Sequence, residues 1–249
     1  MKEQIYTIPV NDGFNESGEC AFCNMRNKLE KDALAYTLGP SYMEQDVRDM
    51  TNEKGFCRTH YEMMYKAQNR LGLALMVSTH MRELEKKVKS AIGEAKNKKK
   101  SGLFSHKSAE CGEAERLLAE INRSCFVCDK INASMERYFD TFFYLWRRSE
   151  EFQSKVKASN GFCAEHALRL VSLSEKKLGG KERDEFLDEL ERLQSESFGR
   201  VEEELLWFIN KFDYRFKDKP WGNSKTALRR AIIKTAAFDA ELENNETEE

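Results

Sequence analysis

Six of the seven cysteines in this chain belong to one pattern that is written twice. The first copy pairs Cys20 with Cys23 and resumes as Gly55-Phe56-Cys57-Arg58-Thr59-His60, with 33 residues between Cys23 and Cys57. The second pairs Cys125 with Cys128 and resumes as Gly161-Phe162-Cys163-Ala164-Glu165-His166, with 34 residues between Cys128 and Cys163. Each copy is C-x2-C followed by G-F-C-x2-H. A single C-x2-C says little. A repeat that keeps its interval to within one residue predicts that three sulfurs and one imidazole converge, twice over.

Three thiolates and one imidazole are a regular structural set for tetrahedral zinc, so the expected cofactor is zinc, two ions per chain. The expected ligands are Cys20, Cys23, Cys57 and His60 from the first copy and Cys125, Cys128, Cys163 and His166 from the second. Each C-x2-C pair precedes an amphipathic stretch and is expected at a helix N-terminus. The free N–H groups and positive dipole end there favour the metal-binding thiolate. Gly55 and Gly161 are expected to make tight turns before the third cysteine. Phe56 and Phe162 are expected to pack beside the sites and keep water out.

Two other chemistries use similar residues. C-x2-C is also a thiol–disulfide spacing, and iron–sulfur clusters use cysteine, though ligation by cysteines alone is their usual form. Haem attachment needs a histidine directly after the pair, where Asn24 and Asp129 stand instead. Pairing of ligands within a copy closes a loop of about 35 residues. Crossing the copies closes much longer loops at greater entropic cost. Pairing within each copy is therefore the expectation, with cross-bracing left open. Cys111 stands outside the pattern and is read as incidental. His80, in a helical run, and His106, in a basic linker, have no partner at ligand spacing and are assigned surface roles.

With only 3 prolines and 13 glycines in 249 residues, the backbone has few breakers, which favours long helices and an all-α fold. Helical periodicity is read in Met25, Leu29, Ala33 and Tyr36, and in a run from Cys57 through Leu71 and Leu84 to Val88. It returns in Ile131, Phe139, Phe142 and Trp146, and from Phe186 through Leu190 and Leu205 to Phe212. The expected organisation is a first metal-binding unit over 1–92, a flexible basic linker over 93–112 and a second unit over 113–180. Long C-terminal helices over 181–240 are expected to pack on both units, followed by an acidic, disordered tail over 241–249. Arg229, Arg230 and Lys234 are placed on the surface of the last helix. Trp221, after Pro220, is either a plug over the core or a binding anchor.

The formal net charge of −2 argues against a general nucleic-acid binder, which needs a basic face. The start of the chain lacks the apolar core of a secretory signal, and no run approaches a membrane span. A cytoplasmic location is the expectation.

The chain resembles an uncharacterised bacterial family, one of the domains of unknown function. The resemblance lies in Tyr6-Thr7-Ile8-Pro9-Val10, the Cys20 and Cys23 pair, and Met50 to Cys57 with His60. It continues in Leu71-Gly72-Leu73-Ala74-Leu75, the second Cys set and Trp221 to Ala231. It implies a helical, cytosolic, cysteine-rich protein with no established activity.

The functional expectation is a zinc-stabilised helical scaffold that binds a protein partner, its pathway and oligomeric state left open. A redox-responsive zinc-thiolate protein is the alternative. A metal-dependent enzyme ranks lower, since its one candidate base, Glu165, is replaced by Thr59 in the first copy. A nucleic-acid binder ranks last.

Overall fold

A computed structural model of the chain describes residues 5–67, 69–98 and 112–239. Among them there are eleven α-helices and no strand, so the all-α expectation holds. In chain order the helices are α1 (Thr7–Asn15), α2 (Ala21–Leu38), α3 (Gln45–Lys54), α4 (Arg58–Lys66), α5 (Arg70–Lys98) and α6 (Glu113–Arg123). They continue as α7 (Phe126–Arg148), α8 (Glu150–Lys157), α9 (Ala164–Lys177), α10 (Gly180–Asn210) and α11 (Ala227–Ala236). Short 3₁₀ segments occupy Pro40–Met43, Tyr214–Phe216 and Gly222–Thr226. No described helix is long and apolar enough to cross a membrane.

The chain does not divide where the repeat divides. One compact unit joins Met1–Lys28 to Ser134–Glu249, and the other is Leu29–Ala133. The boundaries fall inside α2 and α7, so each of these helices begins in one unit and ends in the other. The expected units at 1–92 and 113–180 give way to this arrangement because the aromatic residues of α7 and the start of α2 share a core.

That core belongs to the first unit. Phe139, Phe142, Phe143 and Trp146 fall on one face of α7 at helical spacing and are all buried. Phe22 stacks on Phe139 at 4.4 Å, and Phe142 meets Phe152 at 5.6 Å and Phe186 at 6.1 Å. Phe14 of α1 stands edge-on to Phe152 at 5.2 Å. Helix α10 contributes Phe186, Leu190, Leu193, Ser197 and Val201 as its buried face. Helices α10 and α11 belong to this unit and pack on each other and on α9. The long helix stops at Asn210 rather than reaching Phe216. There the Lys211 ammonium donates to the carbonyls of Phe216, Lys217 and Lys219 and ties the following loop back on the helix end. Trp221 is half-buried against Phe208, ring centroids 5.9 Å apart, with the Lys211 ammonium 5.1 Å over its ring. It plugs that loop.

In the second unit α3 packs on α5, and α5 on α6. The run expected as one helix from Cys57 is two, α4 and α5. Asn69 makes the break. Its side-chain oxygen accepts from the Gly72 N–H at 2.9 Å, and its amide donates to the Leu38 carbonyl at 2.6 Å. Helix α5 then continues through Gly93 to Lys98, six residues into the stretch expected as a linker. The remainder of that stretch, with His106, Cys111 and most of its lysines, and the acidic tail lie outside the described residues.

Candidate metal centres

The structure gathers all eight predicted ligands into two clusters, and it crosses the copies to do so. Cys20 and Cys23 meet Cys163 and His166, all within the first unit. Cys57 and His60 meet Cys125 and Cys128, all within the second. The expectation of pairing within each copy is overturned. Loop closure costs only about 0.6 kcal/mol per doubling of length. Cys23 and Cys163 are 140 residues apart, two doublings beyond the within-copy loop. Burying a single phenylalanine outweighs that, at roughly 1.5–3 kcal/mol, and the first unit's core buries several.

Each ligand is presented by a helix start. Cys57 and Cys163 occupy the N-cap positions of α4 and α9, and their carbonyls accept from Tyr61 and Ala167 at 2.9 Å. His60 and His166 follow on the first turn of the same helices. Cys20 and Cys125 stand just before α2 and α7, with Cys23 and Cys128 on the first turns. The Cys128 N–H points at Cys125 Sγ, 3.5 Å away.

The turn before each third cysteine needs glycine. Gly55 and Gly161 have φ of 59° and 73°. A Cβ on Gly55 would lie 2.4 Å from His80 Nε2, and one on Gly161 2.8 Å from Ser197 Oγ. His80, expected on the surface, is half-buried. Its ring packs against the Gly55 turn, with Nδ1 2.8 Å from the Asn52 carbonyl oxygen. Phe162 and Phe56 are buried beside their clusters, as expected. Phe162 is clamped by Gln194, which accepts from its N–H at 2.9 Å and donates to its carbonyl at 3.1 Å. In the second unit the Phe126 N–H donates to the Gly55 carbonyl at 3.0 Å and joins the two ligand-bearing segments directly.

In the first cluster His166 Nδ1 lies 3.4 Å from Cys20 Sγ, 3.5 Å from Cys23 Sγ and 3.0 Å from Cys163 Sγ. Cys23 and Cys163 sulfurs are 3.6 Å apart. In the second, His60 Nδ1 lies 3.2 Å from Cys57 Sγ, 3.2 Å from Cys125 Sγ and 3.4 Å from Cys128 Sγ. Cys57 and Cys128 sulfurs are 3.8 Å apart. The first cluster is wholly buried, whereas Cys57 and Cys128 of the second are half-buried.

Three thiols this close cannot all ionise without a cation among them. At Cys125, hydrogen bonding from Cys128 lowers the pKa to about 3, against the opposing effect of burial. Cys128 is pushed up by Cys125 and by burial. Contacts with Cys163 and Cys20, together with burial, push Cys23 up in the first cluster. Burial works against the charge on His60, yet hydrogen bonds to Cys125 and Glu30 raise it to about 10. Each cluster could hold a metal ion, with four candidate ligand atoms lying within 4.8 Å of one another.

The candidate base Glu165 does not face the first cluster; its exposed carboxylate lies 3.4 Å from Arg26. Sequence reasoning missed two supporting groups. Glu30 lies 3.0 Å from His60 Nε2. Lys234, expected on the surface of α11, is 1% exposed.

A family model described as a family of unknown function (DUF6062) matches residues 1–241. No curated protein and no solved structure matches the chain.

Proposed function

The chain belongs to the DUF6062 family, whose function is unknown, and we propose that it is a non-enzymatic helical scaffold in which one zinc ion closes each unit. The observation that carries this is the spacing of the ligand atoms. Zinc–sulfur bonds of about 2.3 Å and zinc–nitrogen bonds of about 2.0–2.1 Å give tetrahedral edges of roughly 3.5–3.8 Å. The nitrogen–sulfur separations run from 3.0 to 3.5 Å in the first cluster and from 3.2 to 3.4 Å in the second, and the Cys23–Cys163 and Cys57–Cys128 sulfurs lie 3.6 and 3.8 Å apart. Four protein ligands leave no position for water or substrate, the mark of a structural rather than a catalytic ion. In each unit the ion joins two chain segments far apart in sequence, so zinc binding contributes folding energy.

The scaffold serves a protein partner in the cytoplasm. Support comes from the apolar side chains around Leu168, which is 70% exposed beside Val171 of α9 and Leu187 of α10. Elemental analysis of the purified protein tests the metal, with two zinc per chain expected. Zinc at or below background level sinks the proposal. Leu168→Asp tests the partner: both ions and the melting temperature stay, while cross-linked partners are lost. An unchanged cross-linking pattern counts against the partner.

The half-buried Cys57 and Cys128 favour a second reading at one centre, a redox response. Two thiolates would be oxidised to a disulfide as one hydrogen peroxide and two protons become two waters, with release of the ion. Peroxide titration should then free one zinc per chain well before the other. Simultaneous release, or none, argues against it.

A further inference from the structure

A buried ammonium group ties together the two segments that build the first centre. Lys234 Nζ donates to the Glu19 carbonyl at 2.7 Å, to the Asn160 carbonyl at 2.5 Å and to Ser197 Oγ at 3.2 Å. Three acceptors match the three protons of an ammonium. Glu19 directly precedes Cys20, and Asn160 directly precedes the Gly161 turn that delivers Cys163. Lys234 itself comes from α11 and Ser197 from α10. One side chain therefore holds both ligand segments and seats the last helix on them.

The charges around it are complementary to a loaded centre. The Glu19 carboxylate, also buried, lies 2.6 Å from Arg200 and 3.5 Å from both Arg230 and Lys234. Glu204 pairs with Arg200 and Arg230 in turn. Three cations face two carboxylates, leaving one positive charge in surplus. Three thiolates around a dication leave one negative charge. A buried surplus charge of either sign is costly alone, and the two offset each other.

We infer that Lys234 is a positioning residue of the first metal centre, and that metal occupancy there and docking of α11 are thermodynamically linked through it. The inference rests on the zinc reading above. Partners that orient ligands typically change metal affinity by roughly 10- to 100-fold when removed. Linkage is reciprocal, so loss of the ion loosens α11 by the same factor that undocking of α11 weakens the ion.

The test uses the full chain loaded with zinc, titrated with a chelator and followed by native mass spectrometry that counts ions per chain. In Lys234→Met, one of the two ions should leave at a chelator concentration at least about 10-fold lower than in the wild type, and the other at the same concentration. Ser197→Ala should shift the same ion by less. Leu228→Ala, an exposed change on α11, should shift neither. Hydrogen exchange on the wild type supplies an arm that needs no variant: amides of 227–236 should exchange at least about 10-fold faster once the first centre is stripped. Wild-type retention of both ions in Lys234→Met, equal weakening of both ions, or unchanged α11 exchange on stripping would each overturn the inference. A wild-type chain that binds no zinc instead removes the metal reading itself, at the elemental-analysis step.

Discussion

Glu30 Oε1 sits 3.0 Å from Nε2 of His60, on the opposite side of the ring from the three sulfurs of the second cluster. The carboxylate fixes the tautomer, because Nε2 donates to it and leaves Nδ1 as the metal ligand. It also raises the basicity of the imidazole. Glu30→Ala should weaken zinc at the second centre by roughly 10- to 100-fold and leave the first centre unchanged, with Glu30→Gln intermediate. Chelator competition on each variant measures this, and equal affinities in Glu30→Ala and wild type would contradict it.

Glycine at position 161 is required by its backbone and by its neighbours, whereas Gly199 on α10 is required by neither. Gly161 has φ of 73°, and a Cβ there would also meet Gln194 Oε1 at 3.1 Å and the Leu193 carbonyl at 3.2 Å. Left-handed backbone costs a residue with a Cβ about 1–2 kcal/mol before any collision is counted. Gly161→Ala should therefore lower the stability of the loaded protein by at least about 1 kcal/mol. A Cβ on Gly199 meets nothing within 4 Å, and glycine in a helix interior is about 0.5–1 kcal/mol worse than alanine. Gly199→Ala should raise the melting temperature. Denaturation of both variants decides the matter, and shifts of the same sign would be fatal to the comparison.

The eight residues of the two clusters were readable because metal chemistry restricts residue type and spacing together. Helix α10 was readable because its apolar periodicity, from Phe186 through Leu190 and Leu205, runs over many turns. What the sequence could not show is which pairs meet. That choice is made by Phe22, Phe139, Phe142 and Phe162, whose mutual contacts span positions 22 to 162. Nothing in the local pattern encodes them. Helix α1 is not among the helices expected from the sequence, and it contains both Pro9 and Gly13. Yet Pro9 lies in its first turn, where a missing N–H costs nothing. Gly13 lets Met25 of α2 approach, for a Cβ there would lie 2.5 Å from Met25 Cγ. Lys234 was read as exposed because lysine usually is, and its acceptors come from segments distant in sequence.

The crossing of the copies has its own genetic signature. If Cys20 shares an ion with Cys163, then Cys20→Ser and the double variant Cys20→Ser/Cys163→Ser should each lose one zinc per chain. The double variant Cys20→Ser/Cys57→Ser should lose both, because those residues belong to different clusters. Pairing within a copy makes the opposite prediction for the two doubles. Zinc content of the three purified variants distinguishes the arrangements. Retention of one ion by Cys20→Ser/Cys57→Ser would refute the crossing.

Zinc binding at the second centre should release protons, and its affinity should rise with pH. In the folded, metal-free cluster Cys125 is already a thiolate at neutral pH, with its pKa near 3. Cys128 is held neutral by its neighbour, and His60 stays protonated up to about pH 10. The ion requires a thiolate at Cys128 and a bare Nδ1 at His60. These two groups therefore lose their protons on binding, so at least two protons leave. Because the free cluster carries more protons than the loaded one, raising the pH favours the loaded form. Between pH 6 and 8, about 100-fold in affinity is gained per pH unit for two protons. Calorimetry in buffers of different ionisation enthalpy counts the protons directly, on Cys163→Ser protein so that the second centre is observed alone. Release of fewer than one proton per ion would show that His60 and Cys128 do not both enter the coordination shell.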